Sequence, residues 1–149
     1  MERAIELLKS MIAIPSVSRG EEGTASLIYD RLQAWGANPQ RFRNNVWALS
    51  ENFDPSRPTL LLNSHHDTVK PAASYTRDPY QPAVEDGRLY GLGSNDAGAS
   101  AVSLIETFLS LRSARLPFNL LLAITAEEEV GGENGMRAFL PHVAEEGIR

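Results

Sequence analysis

Two short apolar runs, each followed directly by polar or acidic side chains, constrain the fold of this chain more than any other feature. The first run is Leu60–Leu62, bounded by Pro58 and Pro71, and the second is Leu120–Thr125. Apolar runs this short are typical of buried strands rather than helices. Because open α/β sheets bind ligands beyond the carboxyl ends of their strands, the residues after these runs are the candidate site.

Segments with a helical spacing of apolar residues separate the predicted strands. The predicted helices are residues 2–12, Glu21–Trp35, a stretch from Ala101 to before Pro117, and Glu133–Glu145. The further predicted strands are Phe42–Leu49, with a turn at Asn44–Asn45, and Leu89–Tyr90, which follows a long loop over Lys70–Glu85. In the first helix, the residues predicted to face the core are Ile5, Leu8, Met11 and Ile12. Strands that alternate with helices indicate a layered α/β fold with an at least partly parallel sheet.

His65, His66 and Asp67 follow the first run. Residues two apart on extended backbone project to the same side, so His65 and Asp67 are predicted to lie together. A carboxylate beside an imidazole can accept its second ring N–H and orient a metal-binding histidine. The alternative is a surface turn with a chance His–Asp pair, and the motif alone does not decide between them. His66 points away by the same alternation and is predicted to be a packed histidine.

Acidic residues stand at two later positions. Asp96 lies in a glycine-rich loop, where a backbone can approach a ligand closely. Its alternative role is to cap the following helix, as Ser94 could also do, and capping is compatible with ligand binding. Glu127–Glu129 follow the second run, and Glu127 is given no role. Adjacent strand residues point to opposite faces, so Glu128 and Glu129 can serve one site only beyond the strand end.

As a set, these motifs resemble the co-catalytic zinc metallopeptidases and deacylases. That family includes acetylornithine deacetylase, succinyl-diaminopimelate desuccinylase, aminoacylase and carboxypeptidase G. Its motifs are His-x-Asp, a bridging Asp in a Gly-rich loop, and a Glu-Glu pair, matched here by His65-His66-Asp67, Asp96 and Glu128-Glu129. Within the family, residues 63–67 and 94–98 look most like acetylornithine deacetylase.

The resemblance implies a role for each matched residue. His65, Asp96 and Glu129 would be metal ligands in a site for two zinc ions, for which cobalt is a possible substitute. Asp67 and Glu128 would be catalytic, Asp67 through His65 and Glu128 as the general base. The peptide bond after Asp96 is expected to be cis.

The resemblance also implies an architecture. It is the three-layer α/β catalytic domain of zinc peptidases (phosphorylase/hydrolase-like), a mixed sheet with helices on both faces. Residues 1–149 are expected to be only its N-terminal part, without the lid and dimerisation domain or the remaining metal ligands. The fragment alone is therefore expected to hold zinc weakly and to be inactive. The parent protein is expected to be a homodimer, and the fragment to self-associate through an exposed sheet edge.

The activity implied is hydrolysis of the N-acyl amide bond of a small N-acyl amino acid. N-acetylornithine or an N-acylcitrulline is the expected substrate, which would place the parent protein in arginine biosynthesis. The alternatives are a dipeptidase or carboxypeptidase of the same family, and an inactive fragment that keeps the fold without turnover.

Composition excludes several other classes. The length of 149 residues is typical of one domain, and a net charge of -5 without a basic cluster argues against a nucleic-acid partner. The chain has no cysteine, so any metal must bind to nitrogen and oxygen ligands. No run approaches the ~20 apolar residues of a membrane span, and no signal peptide is evident, so no membrane partner and a cytoplasmic location are expected.

Overall fold

The computed structural model describes residues 1–149 as four α-helices and six β-strands. The helices are α1 (Glu2–Ile12), α2 (Glu22–Ala34), α3 (Ser100–Leu111) and α4 (Met136–Glu145). The strands are β1 (Gln40–Phe42), β2 (Asn45–Leu49), β3 (Thr59–His65), β4 (Ala83–Glu85), β5 (Arg88–Tyr90) and β6 (Asn119–Thr125). An irregular turn, Ser94–Ala99, precedes α3. None of these helices has the length and apolar character of a membrane-spanning segment.

Four strands form one mixed sheet in the order β1-β2-β6-β3, and β4 and β5 form a separate hairpin. Strand β6 pairs in parallel with β3 and antiparallel with β2. In the parallel pair Leu60 lies opposite Leu120 and His65 opposite Thr125, so both strands end at the same edge of the sheet. All residues of β6 are buried, as predicted for this strand.

Helices cover both faces of the sheet, which confirms the predicted α/β architecture. On one face, α1, α2 and α3 pack on the sheet around Ile28, Ile105 and Leu122. On the other face, Phe139 of α4 packs against Trp47 of β2. The two apolar layers fix the sheet between helices and leave its carboxyl-terminal edge to the loops that follow β3 and β6.

Strand β3 is less buried than its apolar run predicts, because it lies at the edge of the sheet. Leu60 is 49% exposed, whereas Ser64 and His65 at the other end of the strand are buried. The Thr59 N–H points outward and donates to the carbonyl of Arg149 at 2.9 Å. The prediction of a buried strand over Leu60–Leu62 is therefore wrong at Leu60, and Leu61 and Leu62 are only partly buried.

Several local predictions also differ from the structure. In α1, Leu7 is buried and Ile5 is exposed, so the apolar face is rotated from the predicted one. The predicted strand over 42–49 is a hairpin whose turn lies at residues 43–44, β4 lies inside the predicted long loop, and α4 begins at Met136. Neither Ser94 nor Asp96 makes a side-chain cap on α3.

Candidate metal centre

The candidate site is built where β3 and β6 end. Strand β3 ends at His65, and Asp67 follows it at the edge of the sheet. Strand β6 is followed by the loop Glu127–Glu129, which we call the acid loop. The third component comes from the turn before α3, which carries Asp96. Ser64 Oγ donates to the Ala97 carbonyl at 3.3 Å, which links this turn to β3. The predicted cis peptide bond between Asp96 and Ala97 is confirmed.

The predicted site residues converge. His65 Nε2 lies 3.2 Å from Asp96 Oδ1 and 3.7 Å from Glu128 Oε2. One ligand atom each from His65, Asp96 and Glu129 lies within 4.8 Å of the other two. The predicted convergence of these side chains from three separate segments is therefore confirmed.

Asp67 is fully buried behind this cluster and is surrounded by donors. His65 Nδ1 lies 3.3 Å from its Oδ1, and Ser18 Oγ donates to its Oδ2 at 2.7 Å. The backbone N–H groups of Glu128 and Glu129 donate to its two carboxylate oxygens, each at 3.1 Å. Asp67 therefore orients the imidazole, as predicted, and also fixes the backbone of the acid loop, which was not predicted.

These contacts shift the pKa values of both partners. Hydrogen bonding to Asp67 raises the pKa of His65 to about 9, although burial acts in the opposite direction. Burial raises the pKa of Asp67, but hydrogen bonds from His65, Ser18 and the two acid-loop amides together lower it to about 2. Without a metal the pair is an imidazolium and a carboxylate at neutral pH, so a metal ion must displace the proton on Nε2.

The donor set fits a metal ion. One imidazole nitrogen and two carboxylates are the nitrogen and oxygen ligands that zinc accepts. Burial, and then the negative charge of Asp96, raise the pKa of Glu129. A cation between these carboxylates would remove the like-charge repulsion, so the residues present suit a bound divalent ion.

Glu128 and Glu129 occupy different environments although they are adjacent. Strand β6 ends at Thr125, so the acid loop is free of strand alternation and both side chains reach the same site, as predicted. Glu129 is half-buried beside Asp96, whereas Glu128 is exposed and approaches His65 from the solvent side. This arrangement suits Glu129 to ligation and Glu128 to proton transfer.

The other two histidines take no part in the cluster. His66 is buried, with Nδ1 2.7 Å from Thr24 Oγ1 and Nε2 2.9 Å from the Asn44 carbonyl. Burial lowers its pKa, which agrees with the predicted packed histidine. His142 is half-buried on α4, where its ring stacks on Phe42 at 4.0 Å between centroids.

Sequence reasoning missed the residues that support the cluster from behind. Ser18 Oγ donates to Asp67, Glu21 is buried next to the acid loop, and Glu127 is the buried first residue of that loop. No spacing in the sequence marks Ser18 or Glu21, which precede α2 in a polar loop. For Glu127 a signal existed, because it follows a fully buried strand without any turn residue between.

The sequence of the chain is similar to a known protein family and to curated members of it. Residues 61–149 match the sequence profile of peptidase family M20/M25/M40. The chain is 30% identical over 162 residues to a succinyl-diaminopimelate desuccinylase of Delftia acidovorans, covering 100% of this chain and 42% of that protein. It is 32% identical over 152 residues to the corresponding protein of Xanthomonas campestris pv. campestris, covering 96% of this chain and 39% of that one. The chain thus spans about two fifths of the length of these curated relatives.

Solved structures show the same fold at lower identity. A metallo-carboxypeptidase of Sulfolobus solfataricus superposes with a TM-score of 0.72 at 21% identity, covering 98% of this chain and 35% of that one. A dinuclear metal-binding peptidase of Bacillus subtilis gives a TM-score of 0.71 at 20% identity, and the match covers 99% of this chain and 40% of that one. Human carnosine dipeptidase 1 superposes with a TM-score of 0.67 at 24% identity, and the match covers 99% of this chain and 37% of that one.

Proposed function

The chain belongs to peptidase family M20/M25/M40, and on that premise we propose that it supplies the N-terminal part of a metal-dependent amidohydrolase site that cleaves N-acyl amino acids. The observation that carries the proposal is the cluster of His65, Asp96 and Glu129, whose ligand atoms lie within 4.8 Å of one another. An imidazole that a buried carboxylate orients, and whose other nitrogen faces further carboxylates, is suited to hold a metal.

We assign the metal to three side chains. His65 Nε2 and the carboxylates of Asp96 and Glu129 would hold it. Zinc is the proposed ion and cobalt a substitute, because the donors are one nitrogen and carboxylate oxygens. When bound, such ions polarise the amide carbonyl and make water a nucleophile at neutral pH.

The chain's own residues supply orientation and proton transfer. Asp67 holds His65 Nδ1, which leaves Nε2 directed at the centre of the cluster. Glu128 Oε2 lies 3.7 Å from that nitrogen on the open side of the site. In the proposed reaction, Glu128 accepts a proton from the water that attacks the amide and passes it to the leaving amine nitrogen.

Two substrates fit this chemistry. Residues 63–67 and 94–98 favour N-acetylornithine or an N-acylcitrulline, hence a step of arginine biosynthesis. The names of the curated relatives favour N-succinyl-diaminopimelate instead. Both are N-acyl amino acids, so the reaction class is the same, and the released acid, acetate or succinate, distinguishes them.

The test uses the whole protein that contains this sequence, loaded with zinc or cobalt and supplied with each substrate. We expect release of acetate or succinate, and a fall in kcat of at least about 100-fold in Glu128→Gln with its zinc content unchanged. The matched control is Glu133→Gln, an exposed acid beyond the acid loop that should retain wild-type activity. Hydrolysis of neither substrate by the metal-loaded protein would contradict the proposal.

Residues 1–149 alone provide three ligand side chains and are expected to turn over neither substrate. Robust hydrolysis by this chain alone would mean that further side chains complete the site, and His142 and Glu133 would be the first to test.

A further inference from the structure

We propose that Glu21 is a positioning residue, whose buried carboxylate fixes the acid loop from behind so that Glu128 and Glu129 face the metal cluster. Glu21 lies at the start of α2, more than a hundred positions before the loop in the sequence. Nothing in the family motifs found in this sequence involves it. The proposal rests on contacts between backbone and side chain that are independent of any bound metal.

The side chain of Glu21 is fully buried and accepts hydrogen bonds from three donors. Its Oε1 accepts the Arg19 N–H at 2.7 Å and the Glu127 N–H at 3.1 Å. Its Oε2 accepts from Asn44 Nδ2 at 3.3 Å. A buried carboxylate needs such donors, and here one of them is the first amide of the acid loop.

Together Glu21 and Asp67 hold three consecutive amides. The N–H of Glu127 donates to Glu21, and the N–H groups of Glu128 and Glu129 donate to Asp67, each at 3.1 Å. Both acceptors are fully buried, and they reach the loop from different segments of the chain. Every amide of the acid loop is therefore fixed by a carboxylate rather than by a neighbouring strand.

The acid loop needs this support because its own composition opposes order. Three glutamates in succession repel one another, and Glu127 has a positive φ of 55°, a region that non-glycine residues rarely adopt. The Glu127 carboxylate is itself held by Asn134, with Oε1 accepting from Nδ2 at 2.6 Å. The loop is thus anchored by its first residue, and its next two side chains are left free for the site.

The ordinary role for an acid at this position is to cap or complement the start of α2. Glu21 is the residue at the amino-terminal cap of α2, but its side chain makes no hydrogen bond to the first turn of the helix. Its carboxylate instead contacts residues 19, 44 and 127, which belong to three other segments. Positioning of the acid loop therefore accounts for contacts that helix capping does not.

The experiment measures amide exchange by NMR in residues 1–149 without metal, and cobalt affinity by titration of the same samples. In Glu21→Ala we expect the amides of Glu127, Glu128 and Glu129 to exchange at least about tenfold faster, while amides of β6 such as Leu122 are unchanged. Cobalt should bind at least about fivefold more weakly, and its absorption spectrum should change as Glu129 loses its fixed position. Only the cobalt result rests on the proposed function, since exchange is read without metal.

Two further variants complete the test. Glu21→Gln keeps an oxygen for the Glu127 amide but sets two NH₂ groups together at Asn44, so its exchange and affinity should lie between those of Glu21→Ala and wild type. Glu22→Gln is the matched control, because that neighbour is exposed in an ion pair with Arg41 and should behave as wild type. If Glu21→Ala does not fold, the proposal is tested by comparing acid-loop amide exchange and cobalt affinity between Glu21→Gln and Glu22→Gln.

Unchanged exchange in the acid loop of a folded Glu21 variant would overturn the proposal. An increase spread evenly over β6 and the acid loop would also overturn it, since that is loss of global stability. If wild-type residues 1–149 bind no cobalt, the exchange result alone decides the positioning role, and the proposed function is decided separately by hydrolysis in the whole protein.

Discussion

The two sides of the candidate site differ in how their carboxylates are held. Behind the site, Glu21 and Asp67 are fully buried, and hydrogen-bond donors surround both of them. In front, Asp96 and Glu128 are exposed and Glu129 is half-buried, and the close contact of Asp96 and Glu128 is the single imidazole of His65. The rear carboxylates are complete without a metal, whereas the front ones have unused oxygens. The site therefore combines a fixed support with open ligands, and we expect substitutions behind the site to lower stability and substitutions in front to lower metal affinity.

The largest expected effect comes from removing the rear support. In Asp67→Ala, the Ser18 hydroxyl, the His65 ring and two amides lose their acceptor, so the free energy of unfolding of the metal-free chain should fall by about 3–5 kcal/mol. Urea denaturation with a chelator present measures it. Asp30→Ala, on the exposed side of α2, should change stability by less than about 0.5 kcal/mol. A loss of under about 1 kcal/mol in Asp67→Ala would show that the two sides are not held differently.

A substitution in front should act on metal binding instead of folding. Glu129→Gln removes a ligand charge and the repulsion from Asp96, so zinc affinity should fall at least about tenfold. Stability of the metal-free chain should stay within about 0.5 kcal/mol of wild type or rise slightly. Calorimetric zinc titration and urea denaturation measure the two quantities, with Glu133→Gln as the control. A marked loss of metal-free stability would contradict the distinction.

The stability of the metal-free chain should depend on pH through the pair of His65 and Asp67, which joins the front of the site to the rear. The pKa of His65 is raised to about 9, so its stabilising contribution is complete below about 6.5 and is lost as pH rises through 9. The pKa of Asp67 is lowered to about 2, so its contribution is present above about 4 and is lost as pH falls through 2. NMR titration of the His65 ring with a chelator present checks this, with buried His66, whose pKa is lowered by burial, as an internal comparison. A His65 midpoint near 6.5 would contradict it.

The smallest effect is expected at the exposed end of β3. This strand has an exposed end at Leu60 and a buried end at His65. Leu60 is 49% exposed at a free sheet edge, which favours pairing with another copy of the chain. Leu60→Lys should shift sedimentation toward the monomer and change stability by less than about 0.5 kcal/mol. Leu111→Lys, at another exposed leucine, should leave self-association unchanged. A wild-type chain that is monomeric at high concentration would remove the basis for this prediction.

Much of the front of the site could be predicted from sequence, because its residues stand directly after apolar strand runs. His65 is the last residue of β3 and Glu129 lies in the loop after β6, and the parallel register of the two strands brings these positions together. Asp96 was found by its glycine-rich setting. Each local pattern left an alternative open, and the resemblance of the three motifs as a set to a known family decided in favour of a metal site.

The rear of the site could not be predicted in the same way. Glu21 stands beside Glu22 at the start of a helix, and no local feature distinguishes the buried acid from the exposed one. What separates them is the tertiary position of α2 against the end of β6, which brings one side chain to the Glu127 amide. The exposed state of Leu60 was missed for a similar reason, since an apolar run does not reveal whether its strand is central or at an edge.

The parallel pairing of β3 with β6 also determines when this site can exist during folding. His65 and Thr125 lie opposite each other although they are about 60 positions apart in the chain, so the pairing closes a long loop before it gains any contact. Structures with such non-local pairs fold more slowly than those built from neighbouring segments. The local elements, such as α1 and the β1–β2 hairpin, can form before β6 is in place, but the candidate site cannot. Metal ions should therefore act on the completed sheet and have little influence on the early steps of folding.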